Sequence, residues 1–158
     1  MRSSLPFDSY LQDMAYKYGQ NIGIAFQLVD DWLDFMSSAD MLGEKINKIY
    51  IKNLKSTGFF SSGKPSAADL SLGLATAPVL FASEQFPELN KLILRRFSEK
   101  GDVETAFRLV MDSEGLQQTR MLANKYKEAA MTSIGAMAES GDKEKLAYIA
   151  EKVISRMN

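Results

Sequence analysis

Apolar residues recur along most of this chain at helical rather than strand spacing. Leu11, Met14, Ala15, Tyr18, Ile22, Ala25, Phe26, Val29 and Leu33 return every three or four positions, which predicts a helix over about residues 8–37. The apolar surface is so wide that the helix is expected inside a bundle. Gly19 and Gly23 fall in its middle. Each costs about 1 kcal/mol against Ala in a helix, and close approach of a second helix would compensate. Ser37-Ser38-Ala39-Asp40 reads as the helix end.

The pattern then changes. Gly43, Gly58, Gly63 and Pro65 punctuate the stretch up to about residue 71, and within it Lys45, Lys48, Lys52 and Lys55 interleave with Ile46, Ile49, Ile51 and Leu54. So long a connection in a compact bundle is functional or disordered. Helical signals return at Thr76, which can cap a helix with Pro78 in its first turn, running to about Glu84. Pro87 opens the next segment, through Leu89, Leu92, Ile93 and Phe97. Gly101-Asp102 starts another, with Val103, Ala106, Phe107, Val110 and Met111 on one face, closing at Gly115. A long helix is expected from about Leu116 to Glu139, and Gly141-Asp142 precedes a last one with Leu146, Ile149, Ala150, Val153 and Met157. There is no strand pattern and no internal repeat. The expected class is all-α.

Composition narrows the chemistry. The 158 residues suffice for one domain with a core, and a net charge of −1 gives no reason to expect a nucleic-acid partner. The sequence has no Cys and no His. Thiolate and imidazole metal sites, disulfides and histidine-based acid–base chemistry are therefore excluded. Carboxylates, lysines and hydroxyls remain, and hard oxygen ligands point to Mg²⁺ or a similar ion. No apolar run approaches the roughly 20 residues a membrane span needs, so membrane association is expected to be peripheral at most. The first residues carry no recognisable targeting signal.

One stretch concentrates the candidate chemistry: Gly23-Ile24-Ala25-Phe26-Gln27-Leu28-Val29-Asp30-Asp31-Trp32-Leu33-Asp34-Phe35. Acids among Ile, Phe, Leu, Val and Trp are costly to bury unless a cation or proton offsets them. On a helix Asp30 and Asp34 stack on one face, about 6 Å apart along the axis. Gln27 lies one turn before Asp30, and Asp31 flanks the pair, rotated by about 100°. This stripe has the makings of a metal site.

The same run resembles the second aspartate-rich motif of the trans-prenyl diphosphate synthases. Gly63-Lys64-Pro65-Ser66-Ala67-Ala68-Asp69-Leu70 and Gly73-Leu74-Ala75-Thr76-Ala77-Pro78-Val79-Leu80-Phe81-Ala82 resemble the segments that follow it. Phe86-Pro87-Glu88-Leu89-Asn90, Arg95-Arg96-Phe97-Ser98, Gly101-Asp102-Val103 and Gly115-Leu116-Gln117-Gln118-Thr119 are most similar to the long-chain branch. That branch comprises the solanesyl and decaprenyl synthases, including the catalytic subunit 1 of the latter.

The resemblance implies the C-terminal part of an isoprenoid-synthase-type helical bundle. It also implies head-to-tail transfer of an allylic diphosphate onto isopentenyl diphosphate with Mg²⁺, in making quinone side chains. Asp30, Asp31 and Asp34 would hold the metal, Asp30 directly and the others directly or through water. Gln27 and Lys64 would bind the substrate diphosphate. Phe26, Gly19 and Gly23 would serve the chain pocket or helix packing. A second family lysine is replaced by Leu74, which carries no role. Eukaryotic relatives of the branch act in mitochondria, and family members form homo- or hetero-oligomers, so a synthase subunit is the expected partner.

Two departures qualify this. The family is roughly twice as long, and neither its first aspartate-rich motif nor the basic residues that hold isopentenyl diphosphate occur before Asp30. The chain is therefore expected to be the C-terminal half of such a domain over residues 1–158, not competent alone. In addition, residues 44–62 form an insert between Gly43 and Gly63, where the family runs almost directly from Leu42-Gly43 into Lys64-Pro65. The insert reads as an alternative exon, retained intron or gene-model error, which is the favoured reading, or as a lysine-rich lid or membrane-surface element. The rival functional reading is a non-catalytic helical subunit or truncated isoform that modulates a full-length synthase.

Overall fold

The computed structural model describes residues 6–52 and 68–157. Among them there are seven helices and no strands: α1 (Pro6–Lys52), α2 (Ala68–Ser71), α3 (Ala77–Gln85), α4 (Leu89–Leu94), α5 (Asp102–Asp112), α6 (Gly115–Ser133) and α7 (Gly141–Ser155). The all-α expectation holds. No helix of the described residues is long and apolar enough to cross a membrane.

α1 does not stop at Ser37, as expected, but continues to Lys52. The Ser37 hydroxyl donates to the Leu33 carbonyl at 2.6 Å. This back-bond to the preceding turn lets a serine sit inside a helix instead of capping its end. Gly43, expected to punctuate the chain, lies inside the helix, where a glycine costs about 1 kcal/mol without ending it, and Glu44 to Lys52 contain neither Gly nor Pro. The first part of the expected insert is thus helical, while residues 53–62 lie outside the described residues. α6 is shorter than expected, ending at Ser133. There the Thr132 and Ser133 hydroxyls turn back onto the carbonyls of Glu128 and Ala129.

The described residues fall into two compact units, 6–30 with 119–157, and 31–52 with 68–118. In the first, Tyr18 of α1 packs with Ala130 and Ile134, and Leu146 and Ala147 of α7 lie against them. The Tyr18 hydroxyl donates to the Leu146 carbonyl at 2.7 Å. The cap of α7 is Ser140, one residue before the expected Gly141-Asp142 step, its side chain accepting from the Lys143 N–H.

The burial pattern of α1 is narrower than a helix apolar all round would show. Met14, Tyr18, Ala25, Leu28 and Val29 are buried, whereas Leu11, Tyr16 and Phe26 are exposed. The expected close approach at Gly19 and Gly23 is not made by any described residue. A Cβ built at either position meets nothing within 4 Å.

In the second unit, Phe35 stacks on Phe107 of α5 with ring centroids 5.8 Å apart. Leu70, Val79, Leu89 and Val110 complete a core drawn from α2, α3, α4 and α5. The turn from α4 to α5 is held by Asp102, which is buried and accepts from Arg95 Nε at 2.8 Å, from a second Arg95 nitrogen, and from the Glu99 N–H. Gly101 adopts φ +94° just before it, a left-handed conformation that suits glycine.

Candidate functional site

The acidic motif lies on one continuous helix, α1, so the spacing that placed Gln27, Asp30 and Asp34 along one side is realised. Each aspartate has a different partner. The Asp30 Oδ1 is 2.8 Å from Arg156 Nη2, with both side chains about two-fifths exposed (38% and 41%). The same guanidinium lies over the Phe26 ring, 4.8 Å from its centroid. Phe26 therefore packs as a platform for Arg156 from an exposed position.

Asp31 is buried, 8% exposed. Its Oδ2 accepts from the Ala77 N–H at 3.2 Å, satisfying a donor at the start of α3. Thr76 occupies the N-cap position as expected, with Pro78 in the first turn, but its side chain makes no cap hydrogen bond. The Thr76 Oγ1 is buried without a hydrogen-bond partner. Asp34 accepts from the Asp69 N–H at 3.4 Å, at the start of α2. A negative carboxylate at a helix N-terminus is favourable in both cases.

Asp69 joins this group, although sequence reasoning assigned it no role. Its carboxyl is pushed above the usual range, first by partial burial and then by the negative charges of Asp34 and Asp31. Arg156 was missed as well. Nothing in its local sequence links it to a motif so far away in the chain. Gln27 is exposed on α1, while Lys64 lies outside the described residues. Among the described residues, no three acidic side chains gather closely enough to hold a metal ion as they stand.

Residues 6–110 match the sequence profile of the polyprenyl synthetase family. The chain belongs to that family. It is 44% identical over 149 residues to the all trans-polyprenyl-diphosphate synthase of Homo sapiens, covering 94% of this chain and 31% of that protein. A probable mitochondrial hexaprenyl pyrophosphate synthase of Neurospora crassa is 42% identical, with 94% of this chain and 29% of that protein covered. Among solved structures, the apo form of an Arabidopsis medium/long-chain length prenyl pyrophosphate synthase superposes with a TM-score of 0.69 at 30% identity, over 92% of this chain and 44% of that one. A polyprenyl synthase from Caulobacter crescentus, complexed with calcium and isoprenyl diphosphate, gives 0.65 at 26% identity, over 96% and 42%. This polyprenyl synthetase chain thus spans about a third of the length of these curated relatives.

Proposed function

We propose that this chain supplies the second aspartate-rich Mg²⁺–diphosphate site of a trans-polyprenyl diphosphate synthase. The observation that carries the reading is the Asp30-Asp31-x-x-Asp34 run on α1, inside the family-matched segment, with Asp30 already facing a cation. The donor set fits magnesium: it is all oxygen, in a sequence without His or Cys. Bound Mg²⁺ would neutralise the departing diphosphate of the allylic substrate as isopentenyl diphosphate condenses with it.

The chain's own residues divide the remaining work. Asp30, half-exposed, is the direct ligand. Asp31 and Asp34 bind the metal directly or through its waters. Gln27 hydrogen-bonds the diphosphate or orients a metal-bound water. Lys64 adds a point charge on the diphosphate. The apolar residues around the stripe keep water from the reacting centre. The product class is the polyprenyl chain of a quinone, as the family resemblance implies, and the compartment is mitochondrial, as for the mitochondrial hexaprenyl pyrophosphate synthase of Saccharomyces cerevisiae. The first aspartate-rich motif does not occur in this sequence, so we expect no turnover by the chain alone.

A second reading, a non-catalytic subunit that modulates a full-length synthase, is favoured by the presence in this sequence of only one of the family's two aspartate-rich motifs. One experiment separates the two. The purified chain is incubated with Mg²⁺, an allylic diphosphate and isopentenyl diphosphate, alone and mixed with a full-length synthase. Mg²⁺-dependent diphosphate binding lost in Asp30→Ala supports the site. Altered output of the mixture supports the modulatory reading. Turnover by the chain alone would overturn the half-site argument, and binding unaffected by Asp30→Ala would remove both.

A further inference from the structure

Arg156 is held by three things that all belong to one compact unit. Its guanidinium pairs with Asp30 at 2.8 Å and stacks on Phe26. Phe26 and Asp30 are four residues apart on α1, hence on one face. The third restraint is its position as the C-cap residue of α7, where a cation is favoured by the helix dipole. A side chain so restrained is pre-organised, and guanidinium has five donors, of which Asp30 engages few. The residue stays 41% exposed, so donors remain open to a second anion.

We propose that Arg156 makes the Asp30 site selective for a magnesium–diphosphate pair over free Mg²⁺. The proposal rests on the reading of Asp30 as a metal ligand. A bare divalent cation at Asp30 must displace the guanidinium and meets its positive charge, so Arg156 opposes it. A cation arriving with diphosphate brings acidic oxygens that the planar fork binds in place of Asp30. The guanidinium then becomes a partner, still steadied by the Phe26 ring. One residue acts with opposite sign on the two ligands, which a merely structural residue would not do. Asp30 is thereby neutralised in the empty site and released when the substrate's leaving group arrives.

The test uses the 158-residue chain as wild type, Arg156→Gln and Arg156→Lys. Mn²⁺ alone is titrated by the spin-resonance signal of the free ion. Pyrophosphate retention at saturating Mg²⁺ is measured by equilibrium dialysis. Arg156→Gln is expected to tighten Mn²⁺ binding about two- to fivefold, the range of a partly exposed ion pair, and to weaken pyrophosphate retention by at least as much. Arg156→Lys keeps the charge without the fork and should weaken pyrophosphate retention while leaving Mn²⁺ binding near wild type.

Phe26→Leu, which keeps both charges and removes the platform, should weaken pyrophosphate retention to a smaller degree. Thermal unfolding of each variant checks that it is folded, and Phe26→Leu serves if Arg156→Gln is not. Shifts of both ligands in one direction, or of neither while Asp30→Ala abolishes binding, would overturn the selectivity role alone. Binding that is absent, or indifferent to Asp30→Ala, would remove the metal-ligand reading and this inference with it.

Discussion

The carboxylate of Asp31 accepts the backbone N–H of Ala77, so the first turn of α3 is capped from α1 and not by the Thr76 beside it. A residue proposed as a metal ligand is therefore also a structural cap. The two duties separate in metal-free chain. Asp31→Ala should cost about 1–2 kcal/mol, the usual range for losing a cap. Thr76→Val, which removes a buried hydroxyl that has no partner, should be neutral or slightly stabilising. Urea denaturation midpoints without Mg²⁺ give the comparison. Equal losses in the two variants would return the cap to Thr76.

Phe26 and Phe35 read alike in the sequence, flanking the acids on one helix, yet the structure gives them unlike environments. Phe35 is fully buried and stacked on Phe107, while Phe26 is 46% exposed. Phe35→Ala should cost about 3–5 kcal/mol. Phe26→Ala should cost less than about 1 kcal/mol, as an exposed ring with a single cation contact, and act mainly through Arg156. Chemical denaturation of both variants under one set of conditions checks the ordering.

The helix class and most helix positions were legible because apolar spacing, Thr76 with Pro78, and the Gly101-Asp102 and Gly141-Asp142 steps are local signals. The acidic stripe was legible for the same reason, since Gln27, Asp30 and Asp34 share a side of any helix they form. Much of what was not legible depends on partners set by turn or tertiary geometry and not by helical spacing. Asp102 marks a helix start in the sequence, but its dominant contact is with Arg95, across a turn whose Arg96 and Phe97 adopt left-handed φ of 57° and 52°. Arg156 reaches Asp30 from the far end of the chain. Serine favours helix ends, which makes Ser37 a stop signal in the sequence, and its bond to the Leu33 carbonyl is equally local but opposite in effect.

The Asp102 pair carries a pH signature. The Arg95 hydrogen bond holds the Asp102 carboxyl below the usual carboxylate range, with help from the Glu99 N–H and against the opposing effect of burial. In the unfolded chain an aspartate titrates at about 3.9, so between that value and the lower folded one the unfolded state binds more protons. Stability therefore rises with pH through this window. The contribution is complete above the unfolded value and is lost as pH falls through the folded one. Asp102→Asn should be less stable than wild type at neutral pH, with the gap shrinking on acidification below about pH 4. Thermal midpoints from pH 7 to pH 2.5 would show it, and a gap constant across that range would deny the pair its stabilising role.

Glycines give the sharpest contrast in packing. A Cβ at Gly115 would run into the Pro78 carbonyl oxygen and lie 3.2 Å from the Ala82 nitrogen. Both are backbone atoms of α3 and cannot turn aside, so the start of α6 would have to move away from it. Gly115→Ala should cost about 1–3 kcal/mol, as overpacking does. Gly19 and Gly23 are also helical, but a Cβ at either meets open space. In this chain Gly19→Ala and Gly23→Ala should each stabilise α1 by about 0.5–1 kcal/mol. Denaturation midpoints of the three variants provide the check. A loss of stability at Gly19 or Gly23 would mean that another surface already covers that face of α1, whereas a gain confined to the chain alone, reversed when a full-length synthase is added, would identify the face as one that a partner helix approaches closely.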